Sequence, residues 1–255
     1  PESIAAGFAY FGRQRLMTFD PENLEEAYTF MSQARQACDH GVFVAWQAFI
    51  RMAQLVDSFC DDREGKTDDL KALSVKALEL SGDNSLSVAL VAIARNMGQI
   101  DETESALLAE RAMKINPMNL FARQAMALAL GNAGNMNSAY MLSRSCQKFL
   151  PEADTRHLWD LYHALVCIAV GKNEEALTSA ERASAECSGF IAPRRQLLAL
   201  YLHEDRIEDA KEQFNLLQRK EAGFSLDRFL KDPDYHVDTL LSHALIDPSF
   251  KDIFS

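Results

Sequence analysis

The chain has 255 residues, enough for one or two ordinary domains or for a single elongated repeat array. With 48% hydrophobic residues, 11 glycines and 7 prolines it is neither disordered nor collagen-like, and it should fold. Its formal charge of -11, from 26 basic and 37 acidic residues, opposes nucleic-acid binding, because phosphate contacts need a basic footprint. Cys38, Cys60, Cys146, Cys167 and Cys187 lie far apart with no CxxC pair, and read as reduced core thiols rather than disulfides or metal ligands. That usage points to the cytoplasm. No apolar run approaches membrane-spanning length, and PESIAAGFAYFGRQR is not built like a secretory signal. Pro1 in place of an initiator methionine suggests a piece of a longer protein.

The spacing of apolar residues predicts helices in pairs. Ile4, Phe8, Phe11, Arg15 and Leu16 recur at helical intervals, and Asp20-Pro21 then opens a second helix as cap and first residue, with Leu24, Ala27, Met31 and Ala34 on one side. A third helix over 42–59 carries Trp46, Phe49, Ile50 and Ala53. The polar stretch CDDREGKTDD reads as a long turn before a fourth helix from Leu70 to Leu80. The next hairpin runs from Ser85 to Asn116 across the turn MGQIDETES. In the stretch from Leu120 to Pro151, Arg123, Met126, Ala127 and Leu130 mark one helix and Ala139, Leu142, Ser143 and Cys146 the next. Gly131, Asn132, Gly134, Asn135 and Asn137 supply the turn, and Pro151 the stop. A fifth hairpin covers 155–188 and a sixth 191–222; GFSLDRFLKDPDYHVDTLLSHAL follows as one or two closing helices. The fold class is therefore all-α, a single domain over 1–255 of about six hairpins (4–39, 42–80, 85–116, 118–151, 155–188 and 191–222) with a cap at 224–255.

Pro151 lies 34 residues after Pro117, and Ala210 lies 34 after Ala176. That interval, the small residue Ala127, the Gly134-Asn135 turn and the small knob Ala139 make the chain resemble the tetratricopeptide-repeat family. Arg123, where an aromatic is usual, and Ser143, where a large side chain is usual, depart from its pattern. The resemblance implies a superhelix whose hollow side is lined by the first helix of each hairpin. It places Gln47, Arg51, Phe121, Gln124, Leu128, Leu158, Leu161, Leu165 and Arg195 in that groove. Where some relatives clamp a C-terminal carboxylate with Lys and Asn, this chain has residues such as Gly12, Leu16, Gln47, Arg51, Val88 and Ala92, which argues against chaperone-tail binding. An apolar groove with a few Arg and Gln groups suits a helical protein segment, self-association or an apolar ligand. The alternative is that the same side chains pack against neighbouring repeats or the cap.

The opening pattern FGRQRLMTFDPENLEEAYTFMSQARQACDHGVFVAW, an overlong second unit and the closing GFSLDRFLKDPDY also resemble the helical-repeat tails of bacterial winged-helix transcriptional regulators and class III adenylate cyclases. This implies a regulatory tail attached to an output domain. Chemistry has little support in the residues. No HExxH, Walker loop, GxGxxG or GxSxG motif occurs, and His157 and His163 are six apart on different helix faces. The acidic pairs Glu25-Glu26, Asp61-Asp62, Asp68-Asp69 and Glu174-Glu175 are expected in turns or first helical turns, opposite the positive end of the helix dipole. The expectation is a non-enzymatic interaction and regulatory module with no catalytic residues, metal or cofactor. Its partner would be a protein segment, or a second copy in a homodimer, without nucleic-acid or membrane contact. The competing reading is a small-molecule sensor near Arg51, Phe121, Leu161 and Arg195, or the tail of a nucleotidyl cyclase.

Overall fold

The computed structural model describes residues 1–57, 62–149, 155–232, 240 and 245–254, and among these it is helical throughout. The helices come in pairs: α1 (Glu2–Leu16) with α2 (Pro21–Ala37), α3 (Gly41–Val56) with α4 (Arg63–Ser81), and α5 (Ser85–Met97) with α6 (Glu102–Ile115). Then follow α7 (Leu120–Asn132) with α8 (Met136–Phe149), α9 (Arg156–Ala169) with α10 (Asn173–Glu186), and α11 (Ala192–His203) with α12 (Ile207–Lys220). A short α13 (Leu226–Lys231) and a 3-10 turn (Pro248–Ile253) close the chain. Two compact units result, one from Pro1–Leu55 and Phe59–Pro151, the other from Val56–Ser58 and Glu152–Ser255. The expected stop at Pro151 and part of the closing stretch, 233–239 and 241–244, lie outside the described residues.

Side-chain caps start many of these helices. Asp20, Asn84, Asp101 and Asn119 each accept a hydrogen bond from a backbone N–H in the first turn, satisfying a donor that the helix itself leaves open. The turns are also a repeated device. In four hairpins the first helix ends with an N–H bonded to the carbonyl five residues back: Ile100 to Arg95, Asn135 to Leu130, Lys172 to Cys167 and Arg206 to Tyr201. Each such turn needs one left-handed residue. Gly134 (φ 76) and Gly171 (φ 74) take that conformation without a side-chain penalty, whereas Gln99 (φ 53) and Asp205 (φ 56) adopt it with side chains in place.

Two expectations are corrected. The stretch CDDREGKTDD is not one long turn: α4 begins at Arg63, because Asp62 caps it by accepting from the Gly65 N–H at 2.9 Å. Cys60 and Asp61 lie outside the described residues. Consequently Asp68 and Asp69 sit inside α4 rather than in a turn, and Asp69 pairs with Arg51 instead of serving a helix end.

Small residues set how closely paired helices approach. Ala27, Ala77, Ala109, Ala112, Ala139, Ala176, Ala180, Ala183 and Ala210, all on second helices, are fully buried. In α1 the seam is Ala5, Ala9, Gly12 and Leu16, while Ile4 and Phe11 of the same helix stay outside, at 59% and 55% exposure. A Cβ on Gly12 would come within 3.0 Å of the Met31 methyl and 3.2 Å of the Ala27 carbonyl. In the second unit, Phe214 of α12 stacks with Phe254 at 4.5 Å between centroids and meets Phe224 at 5.7 Å, with buried Phe229 behind them. These rings cover the α12 flank that a following repeat would otherwise cover.

Gly12→Leu should destabilise the chain by about 1–3 kcal/mol, since the contact it meets at Ala27 is backbone and cannot rotate away. Urea unfolding would check this; an unchanged midpoint would mean that α1 and α2 are not in this close register.

Candidate functional site

The nine groove candidates divide between the two units. In the first unit, Gln47 is buried and donates from Nε2 to the Ser32 hydroxyl at 2.9 Å. One turn along α3, Arg51 reaches α2 and α4. Its Nε bonds Asp69 at 2.6 Å, its Nη1 lies 3.6 Å from Glu25 and donates to Gln54 Oε1 at 2.8 Å, and its guanidinium carbon sits 3.6 Å over the Tyr28 ring. Lys66 completes the cluster with a 2.9 Å bond to Glu25, which also accepts from Gln54 at 2.7 Å. Burial alone would raise the Glu25 carboxyl, but the Lys66 and Gln54 bonds and the Lys66 and Arg51 charges hold it below the usual carboxylate range. Two cations and two carboxylates thus balance, and Arg51 is committed to its own chain rather than offered to an anionic ligand.

Phe121 of α7 packs edge-on against Trp46 and Phe49 of α3, with ring centroids 5.6 and 6.3 Å away. These are first helices of alternate hairpins, so the rings occupy space that would belong to an open hollow between them. Val88 and Ala92 of α5 are correspondingly buried, as is every residue of that helix from Ser87 to Arg95. Gln124 and Leu128 on α7 are buried too, and Gln124 Nε2 has no partner among the described residues.

In the second unit Leu158 and Leu161 are buried, and Leu165 is half-buried. Arg195 is enclosed: Nε bonds buried Glu221 at 2.9 Å and Nη1 donates to the Val56 carbonyl at 2.6 Å. Beside it, the fully buried Asp57 accepts from the Ala192 N–H at 2.9 Å, while its Oδ2 has no partner among the described residues. Burial pushes the Asp57 carboxyl up to about 7; the Arg195 charge and the Ala192 amide oppose the rise and the Glu221 charge adds to it. Buried Asp160 is held in turn by the partly exposed Arg182, bidentate at 2.6 and 3.1 Å.

One grouping was not anticipated from the sequence. His163 and Cys167 are one helical turn apart on α9, with Nε2 and Sγ 3.4 Å apart, and Glu175 of α10 brings Oε1 to 3.0 Å from the same Nε2. The i, i+4 spacing of His163 and Cys167 is the signal for it in the sequence, which the spacing of histidines alone does not carry. Cys38, Cys146, Cys167 and Cys187 are free thiols, and burial pushes the Cys167 thiol up to about 12. His236 and His243 lie outside the described residues.

Paired helices joined by one recurring turn, with alanines along the seams, define an all-α, tetratricopeptide-like fold. A tetratricopeptide repeat protein from Parabacteroides merdae is similar in structure, with TM-score 0.53 over 93% of this chain and 84% of that one, at 13% identity. Pseudomonas aeruginosa PilF is a further neighbour, with TM-score 0.49, 16% identity, and 82% of this chain and 93% of that one covered. YrrB, described as a tetratricopeptide protein with an unusual peptide-binding site, gives TM-score 0.43 at 13% identity over 85% of this chain and 98% of that one. At these identities the likeness concerns the fold. No protein-family model and no curated protein matches the chain. Among the described residues no helix is long and apolar enough to cross a membrane.

Two outcomes follow from the buried charges. Asp57 titrates near its ordinary acidic value when unfolded and near 7 when folded, so the native state binds the extra proton between those values. Its contribution to stability is therefore fullest in acid and falls as pH rises through about 7. Asp57→Asn keeps the acceptor for Ala192 and cannot ionise. At one pKa unit per roughly 1.4 kcal/mol, it should gain about 3–4 kcal/mol over the parent at about pH 8, about 1–2 kcal/mol at about pH 5 and little at about pH 3, read by urea unfolding. Equal slopes with pH in both proteins would remove Asp57 as the cause. Arg195→Ala, which removes the cation bonded to buried Glu221, should cost about 3–5 kcal/mol in the same assay.

Proposed function

We propose that the chain is a non-enzymatic protein-interaction and regulatory module that binds a helical protein segment or a second copy of itself. The observation that carries this reading is the outer edge of the first hairpin. Ile4, Phe8 and Phe11 follow one another at helical spacing on α1, and Phe30 of α2 lies against both phenylalanines, with centroids 6.4 and 5.9 Å away. Tyr10, 52% exposed, meets Phe11 edge-on at 5.7 Å and extends the patch. Repeat arrays normally bury such an edge against another helix or end it with polar residues, and exposed apolar edges of this kind mark contact surfaces.

The finer reading is that the module is the C-terminal tail of a bacterial transcriptional regulator, working in the cytoplasm and making no nucleic-acid contact of its own. The resemblance of its opening and closing patterns and its acidic balance support this, with a nucleotidyl cyclase tail as the variant. In that reading residues 1–255 act as one repeat domain.

A sensor reading has one observation in its favour. The buried Gln124 Nε2 has no hydrogen-bond partner among the described residues and sits one turn from Leu128 and close to Phe121, so a small ligand with an acceptor there would satisfy it. The corresponding candidates in the second unit are Leu158, Leu161, Leu165 and Arg195. Such a ligand would raise the melting temperature by mass action.

Light scattering coupled to size exclusion, together with pull-down from cell extract, tests the leading reading. The parent chain should self-associate or retain a defined protein. Ile4→Lys with Phe11→Glu should abolish that while changing stability by no more than about 0.5 kcal/mol, since both positions are exposed. A monomer that retains no protein at any concentration tried would sink it, as would binding undiminished in the double variant.

A further inference from the structure

The His163, Cys167 and Glu175 cluster has a different chemistry from the rest of the molecule. It offers one imidazole nitrogen, one thiol sulfur and one carboxylate oxygen, and the three donor atoms lie within 4.8 Å of one another. The fold holds them there for reasons of its own. His163 and Cys167 share a face of α9 because they are one turn apart, and the Gly171 turn reverses the chain so that Glu175, in the first turn of α10, returns to that face. His163 and Cys167 are buried, whereas the Glu175 side chain is 38% exposed and leaves one side of the cluster open to solvent.

The Nε2–Sγ separation matches a metal's first coordination sphere, and the Nε2–Oε1 separation is slightly shorter. Around a tetrahedral zinc ion with bonds of about 2.0–2.3 Å, ligand atoms stand roughly 3.3–3.6 Å apart. Here Nε2 and Sγ are 3.4 Å apart and Nε2 and Oε1 are 3.0 Å apart. Mixed nitrogen, sulfur and oxygen donors favour a borderline ion over calcium or magnesium, which prefer all-oxygen sites.

We propose that His163 Nε2, Cys167 Sγ and a Glu175 carboxylate oxygen form a zinc(II)-binding site with water in the fourth position. Binding exchanges the Cys167 thiol proton for the metal–sulfur bond, and that proton leaves to solvent. The imidazole keeps its remaining proton on Nδ1, so that the Nε2 lone pair faces the ion. No electron is transferred. The thiolate and the carboxylate together neutralise the dication, which makes the buried assembly acceptable. With two ligands on α9 and one on α10, the ion clamps the fifth hairpin across its turn. Without the ion, the same geometry is served by the contacts of His163 with Glu175 and Cys167.

Cobalt(II) titrated into the full, reduced 255-residue chain is the direct probe, with zinc(II) as competitor. The expected result is a sulfur-to-cobalt charge-transfer band with intense tetrahedral d–d absorption, saturating at one equivalent and erased by zinc. Cys167→Ser should remove the charge-transfer band. His163→Gln should weaken zinc binding by about a hundredfold or more, since even loss of an outer hydrogen bond to a metal ligand costs 10–100-fold. Glu175→Gln, at a partly exposed position that leaves the helices intact by circular dichroism, should weaken it at least tenfold. The proposal is overturned if cobalt gives no charge-transfer band, if the band survives Cys167→Ser, or if Glu175→Gln binds zinc as tightly as the parent. Should Cys167→Ser fail to fold, the parent spectrum and the Glu175→Gln affinity decide the matter.

Discussion

Everything in this fold depends on how near two antiparallel helices can come. Their backbones close only where side chains are no larger than a methyl group, and the buried alanines of α2, α4, α6, α8, α10 and α12 provide that at each hairpin. Gly12 takes the requirement to its limit, because even a methyl would press on the Ala27 carbonyl. Large apolar side chains are then displaced to the margins of each seam. Some of them join alternate hairpins, as Phe121 does with Trp46 and Phe49, and some, like Ile4 and Phe11, reach the surface.

Close packing has an electrostatic consequence. Helices such as α5, α9 and α11 bury nearly every residue, polar ones included, so charged side chains on them must find partners within the protein. Arg195 with Glu221 and Asp160 with Arg182 do so through short bonds, and Arg95 pairs with Glu104 in the same manner. Such pairs add less to stability than their geometry suggests, because desolvation offsets much of the attraction. What they contribute is register: a helix displaced by one residue would bury a charge without its partner. Asp57 is the exception: one of its carboxylate oxygens has no partner among the described residues, and burial pushes the carboxyl up to about 7.

This division of labour shapes what each surface can do. Much of the lining assigned from the repeat pattern is interior structure, leaving less surface for recognition inside than the pattern suggests. The apolar edge of α1 and α2 presents Ile4, Tyr10 and Phe11 exposed among the described residues. The turn of the fifth hairpin differs again, since it gathers soft and hard donors where two helices meet and solvent can enter. Interaction and ion binding would then use separate parts of the chain, so one could be altered without the other.

The helical class, the pairing of helices and most of their ends were legible in the sequence, because local physics fixes them. Apolar spacing sets the buried side, Asp20-Pro21 opens α2 as cap and first residue, and a glycine marks a left-handed turn at positions 134 and 171. The same turns at Gln99 and Asp205 have no glycine at the left-handed position to announce it. The early start of α4 was hidden by Gly65 and a run of charges whose helical state is stabilised by Asp62 and by Arg51 from another helix. Which face of each first helix became interior, where Arg51 and Arg195 found their carboxylates, and the meeting of Glu175 with His163 and Cys167 were decided only by tertiary structure. The reason is distance along the chain: spacing reports neighbours within a turn or two, whereas these contacts join residues from 12 to 26 positions apart, brought together by the packing itself.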